Sequence, residues 1–112
     1  MKIKDRIVDG IGILSLKGKL MGYPETDDLH TEIKSLLGQN VKKIIIDLNG
    51  ITWMNSLGIG SLMRCLTTVR NAGGDIGLAR MGEKTRNVFV ITQLVSVFKI
   101  HESVEDALEQ FK

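Results

Sequence analysis

The stretch Lys43–Leu62, KIIIDLNGITWMNSLGIGSL, decides the fold. It opens on an unbroken apolar run, Ile44-Ile45-Ile46, closed by Asp47. A strand buried on both faces reads this way, and β-branched side chains suit its pleat. Asn49-Gly50 reads as a polar corner, and Ile51-Thr52-Trp53-Met54 then leads to Asn55-Ser56. From Ser56 the apolar positions change to helical spacing, at Ile59, Leu62, Met63, Leu66 and Val69. The pivot of this strand-to-helix unit is a hydroxyl at a helix N-terminus, where backbone N–H groups and the dipole favour negative charge.

On the N-terminal side, Asp9-Gly10 separates two alternating runs and predicts a tight hairpin. Gly18-Lys19-Leu20-Met21-Gly22 reads as a loop, with Pro24 at a first helical position and Glu25, Asp27 and Asp28 in the first turn. Leu29, Ile33, Leu36 and Leu37 share one face of that helix, and Gly38 ends it. On the C-terminal side, the Ser56 helix runs to about Asn71, and Ile76–Ala79 reads as a short strand. A helix is expected over Glu83–Thr92 with Val88 and Ile91 inward, then a strand centred on Val97–Ile100. Ser103 caps a last helix that turns Val104, Ala107, Leu108 and Phe111 to one side. The order is β-β-α-β-α-β-α-β-α. It predicts one α/β domain over residues 1–112, with a mixed, mostly parallel sheet and an antiparallel edge strand.

Composition narrows the function classes. The 15 basic and 13 acidic residues are interspersed and leave a net charge of only +2, so no basic stripe exists for nucleic acid. With three Phe, one Tyr and one Trp, base-stacking aromatics are scarce too. A single cysteine, Cys65, excludes a disulfide framework and points to a reducing compartment. MKIKDRIVDG lacks the apolar core of a signal peptide, and no apolar run nears the roughly 20 residues that span a bilayer. A cytoplasmic protein with no membrane contact is expected.

Chemistry-bearing patterns are few. Ser56 has no histidine at a spacing that implies a triad, since His30 and His101 fall on distant elements, and Leu57-Gly58 is not a nucleophile elbow. Two separated histidines and one cysteine make no metal cluster, so no cofactor is expected. Gly58-Ile59-Gly60 is half of a dinucleotide fingerprint; Met63 stands where a third glycine belongs, and close helix-on-sheet packing explains the glycines better. An enzyme is not expected. Trp53-Met54 and Leu20-Met21 instead place large apolar residues in two segments at the same end of the sheet; some of them, Met54 first, are expected in the core, and the exposed remainder would form a docking patch around Ser56.

The run Asp47-Leu48-Asn49-Gly50-Ile51-Thr52-Trp53-Met54-Asn55-Ser56-Leu57-Gly58-Ile59-Gly60 resembles the signature of STAS domains, in particular bacterial anti-sigma factor antagonists, whose pattern is close to D-L-S-x-V-x-x-M-D-S-S-G-L-G. Leu16-Lys17-Gly18-Lys19-Leu20 matches the family's L-x-G-x-L before the first helix, and length agrees with a stand-alone domain. The resemblance implies a non-enzymatic regulatory module that binds an anti-sigma factor serine kinase while unphosphorylated. The kinase would release it by phosphorylating Ser56, and a PP2C-type phosphatase would restore it. Partner contacts would fall on Leu20, Met21, Gly22, Trp53, Asn55, Ser56, Leu57, Gly58 and Ile59. Asn55, Leu57 and Met21 depart from the family's Asp, second hydroxyl residue and Asp. They motivate an alternative: a non-phosphorylated STAS scaffold or accessory subunit of a signalling complex or lipid transporter. A monomer or weak dimer is expected.

Overall fold

The structure, a computed structural model, describes residues 1–112. A hairpin of β1 (Lys2–Val8) and β2 (Ile11–Leu20) opens the chain, followed by α1 (Glu25–Gly38), β3 (Lys43–Met54) and α2 (Ser56–Asn71). The second half holds β4 (Asp75–Ala79), α3 (Glu83–Ile91), a 3₁₀ turn over Leu94–Ser96, β5 (Lys99–His101) and α4 (Val104–Phe111). The five strands lie in the order β1-β2-β3-β4-β5, with β1 antiparallel to β2 and all other pairs parallel. This is the mixed sheet expected from the alternation of elements. Asp9 and Gly10 carry positive φ, 53° and 77°, as a two-residue hairpin of this type requires.

Helices pack on both faces of the sheet. Ile44, Ile46 and Leu48 of β3 point to one side with Leu14, Leu16 and Leu20 of β2, where α1 and α2 bring Leu29, Ile33, Leu62 and Leu66. Ile45 points the other way and meets Ile11, Ile13, Val104, Ala107 and Phe111 beneath α4. The Ile44-Ile45-Ile46 run is apolar throughout because each face has its own cover. Every such fully buried Ile or Leu contributes about 1.5–3 kcal/mol.

Four expectations need correction. Residues 18–20 are not loop, and Asn49-Gly50 is not a corner: β2 and β3 stay paired to Leu20–Met54. Between the pairs Ser15–Asp47 and Leu20–Met54, β3 carries two more residues than β2, taken up in two β-bulges. Gly50 lies at the first, where a β-carbon would stand 2.5 Å from the Leu16 carbonyl oxygen. Next, α1 begins at Glu25 with Pro24 as its N-cap rather than its first residue; it ends at Gly38 as expected, and the left-handed residue beyond is Asn40. On α3 Val88 packs against the core as expected, but the fully buried residue is Phe89, against Phe98, while Ile91 is 80% exposed. Finally, the last strand is Lys99–His101; Leu94–Ser96 forms the 3₁₀ turn instead.

Candidate functional site

β2 and β3 end side by side, and the chain leaves β3 through Asn55 to enter α2. Asn55 is the N-cap, with extended backbone, and its Oδ1 accepts the Gly58 N–H at 3.1 Å. Its Nδ2 donates to the Met21 carbonyl at 3.0 Å. One amide therefore closes the helix terminus and ties it to the segment after β2. Aspartate could perform the first task but has no donor for the second. Gly58 lets the helix approach, since a β-carbon there would lie 2.1 Å from the Leu20 carbonyl oxygen.

Ser56 is the first residue of α2 and is exposed. The first turn of this 16-residue helix holds no acid, so beyond the neutral Asn55 cap no negative side chain in that turn balances the positive end of its dipole. Large apolar side chains are exposed at this corner: Met21 is 42% exposed, Tyr23 83%, Trp53 44% and Leu57 62%. Ser56 lines a shallow groove of about 320 Å³ together with Gly22, Tyr23, Leu57, Ser61 and Arg64. Arg64 reaches Asp27 at only 3.9 Å with both side chains mostly exposed, a contact worth little, so its guanidinium stays available to the groove.

The expected contact set narrows. Met21, Gly22, Trp53, Asn55, Ser56 and Leu57 come together at this corner with surface to offer. Leu20 is fully buried as the last residue of β2, and Gly58 and Ile59 are buried under it, so these three position the corner without presenting a side chain. Met54 is core, and Gly60 meets no neighbour within 4 Å of a built β-carbon, so close packing explains Gly58 alone. Tyr23 and Arg64 went unread. An aromatic residue between Gly22 and Pro24 in a turn was a usable signal for Tyr23; Arg64 required knowing which face of α2 looks toward α1.

The titratable groups elsewhere have other partners. His30 is buried between α1 and α2 with Nε2 2.9 Å from Thr68 Oγ1. Burial first, then Arg64 and Lys34, hold its imidazole below the ordinary value. Cys65 is buried, and desolvation pushes its thiol up to about 12, as a small core residue requires. No three His, Cys, Asp or Glu side chains gather where they could hold a metal ion. No helix is long and apolar enough to cross a membrane.

Comparison with known proteins places this geometry. A Bordetella bronchiseptica protein with the provisional name anti-sigma factor antagonist BtrV is 24% identical over 112 residues, all of this chain and 96% of that one. The crystal structure of a Thermotoga maritima protein, provisionally an anti-sigma factor antagonist, superposes with a TM-score of 0.87 at 23% identity, over 96% of this chain and 92% of that one. The Bacillus cell fate determinant SpoIIAA in its phosphorylated form gives a TM-score of 0.77 at 18% identity, over 99% of this chain and 100% of that one. The family model of the STAS domain matches residues 2–107, from the opening hairpin through the Ser56 corner into α4, and the chain belongs to the STAS domain family.

Proposed function

We propose that this protein is an anti-sigma factor antagonist: it binds a serine-kinase anti-sigma factor through the Ser56 corner and is released when that kinase phosphorylates Ser56. One observation carries the reading. An exposed hydroxyl stands at the positive end of α2, in one groove with the exposed Tyr23 and Leu57, at a corner where Met21 and Trp53 are exposed too. A phosphate there adds about −1.5 to −2 charges. The helix terminus tolerates that charge, so the fold survives while an apolar docking face becomes a charged one. The names of similar proteins, BtrV among them, support the partner class. A PP2C-type phosphatase is the expected reversing enzyme.

Incubation with the cognate kinase and ATP tests the switch by intact mass. One added phosphate is expected on the wild type and none on Ser56→Ala; modification that persists in Ser56→Ala removes the site assignment. Ser56→Asp is expected to weaken kinase binding at least about tenfold, the scale of a like-charge or desolvation penalty at an interface.

A second reading has its own observation. Leu57 occupies the place of a second hydroxyl and presents an apolar side chain instead, and Asn55 spends its amide on structure. Both suit a corner built for constant docking, as in a scaffold or accessory subunit of a signalling complex or lipid transporter. Partner binding indifferent to Ser56→Asp selects this reading.

A further inference from the structure

The sheet face under α4 is only partly covered. Ile11, Ile13, Ile45 and Ala79 pack with Val104, Ala107 and Phe111, and this cluster holds no residue from the last parts of β2 and β3. There the strands enclose a hollow of about 520 Å³ bordered by Lys2, Lys4, Lys17 and Arg80, with Asp47 and Asn49 inside. The two bulges shape it. Asp47 and Asn49 share a face by simple alternation, whereas Thr52 joins them only because an extra residue has shifted the register.

Charge in this hollow is unbalanced. Lys2 and Lys17 are direct cross-strand partners, and Lys4 follows Lys2 on the same face. Like charges placed opposite each other destabilise a sheet. None of these three ammonium groups has a carboxylate within ion-pair distance. The one acid present, Asp47, is already satisfied: Arg80 donates to both of its oxygens, at 3.0 Å from Nε to Oδ1, and Oδ1 also accepts the Asn49 N–H at 3.1 Å. Three uncompensated cations therefore share one concavity in a chain whose net charge is only +2. Lys2, Lys4 and Lys17 are exposed, so solvent moderates their repulsion, and a concavity lined by one sign of charge concentrates counter-ions.

We propose that this hollow binds a compact multivalent oxyanion, a phosphate or pyrophosphate group, held by Lys2, Lys4 and Lys17. Lysines act as point charges on phosphate, and the volume lies in the range of about 300–1,000 Å³ usual for small-molecule sites. The site shares no residue with the Ser56 corner and stands or falls independently of it.

Calorimetric titration of the full chain with sodium pyrophosphate at constant ionic strength tests it. One saturable site of submillimolar affinity is expected, weakened at least about tenfold in Lys17→Gln through loss of a charge-assisted contact. Without ligand, Lys17→Gln is expected to melt at or above the wild-type temperature, because the opposition to Lys2 is gone, so a lost response is not lost fold. Lys34→Gln on α1 should bind like the wild type. Equal affinity in Lys17→Gln, or no saturable heat up to about 10 mM, well short of useful affinity, overturns the proposal. Vesicles of phosphatidic acid in phosphatidylcholine locate the source. Cosedimentation that Lys17→Gln abolishes puts the oxyanion on a lipid headgroup. Pyrophosphate binding without cosedimentation puts it on a soluble molecule.

Discussion

Gly58 rests so close to Leu20 that the α carbon of one and the carbonyl of the other leave no room for a methyl group. A built β-carbon falls 2.1 Å from the Leu20 oxygen and 2.7 Å from Met54 Cγ. The obstacle on the Leu20 side is backbone of a paired strand, which cannot swing aside as a side chain can. The N-terminus of α2, and with it Ser56, is therefore set by contact with the last residue of β2.

Gly58→Ala should destabilise by at least about 1–3 kcal/mol, the scale of overpacking, even though alanine is the better helix former. Gly60→Ala, two residues on, meets nothing within 4 Å and should stabilise by up to about 1 kcal/mol. Urea midpoints of the two variants should move in opposite directions; a shared direction would show that α2 does not seat as described.

Arg80 presents a second conflict, between side chain and backbone. Its guanidinium holds the buried Asp47, while its own φ is 55°, the left-handed region. Arg80→Ala should cost about 2 kcal/mol by leaving a buried carboxylate short of partners, moderated because Arg80 is 45% exposed and water can enter. Arg80→Gly loses the same ion pair but relieves a strain of about 1 kcal/mol. The glycine variant is expected to be the more stable of the two in chemical denaturation.

Stability should fall on mild acidification through His30. Its folded-state pKa lies below the ordinary 6.5, so the unfolded chain takes up a proton that the folded one refuses. The loss therefore begins as pH falls through about 6.5 and continues until the folded imidazole also titrates. Asp75 adds a later step. Desolvation raises its pKa, but the Lys99 hydrogen bond, the Ile76 N–H and the charges of Lys99 and Arg70 outweigh that and hold it below 3.8. Its contribution is present above 3.8 and is lost as pH falls through the lower folded value. Melting temperatures against pH should show the first slope in the wild type, and His30→Gln should flatten it while leaving the acid step in place.

Cys65 offers a reporter. With its thiol buried and raised to about 12, alkylation of native protein at neutral pH should be negligible and should follow global opening. Pulsed iodoacetamide labelling across a urea series should track the unfolded fraction seen by circular dichroism. Labelling well before that transition would mean that the α2–sheet contact opens by itself.

Local chemistry was enough for the element order, both faces of the Ile44–Ile46 strand, the Asp9-Gly10 hairpin, the start and end of α2 and the amphipathic face of α4. Each rests on near neighbours in the chain: period, caps and turn residues. The same residues carried the family resemblance and pointed to Ser56 as the pivot. What local pattern could not supply was the pairing of β2 with β3 past Asn49-Gly50. A polar pair that reads as a corner is a bulge here, because the neighbouring strand keeps offering hydrogen bonds to the backbone on either side. That continuation decides which apolar residues dock and which are core. Leu20 and Met54 pair and turn inward, while Met21, Tyr23 and Trp53 stay at the surface. The Lys2–Lys17 pair follows from the Asp9-Gly10 hairpin, but Arg80, just past the end of β4, reaches the same hollow only through the folded sheet. Whether a side chain is buried or offered depends on what lies across from it, and only the tertiary structure supplies that neighbour.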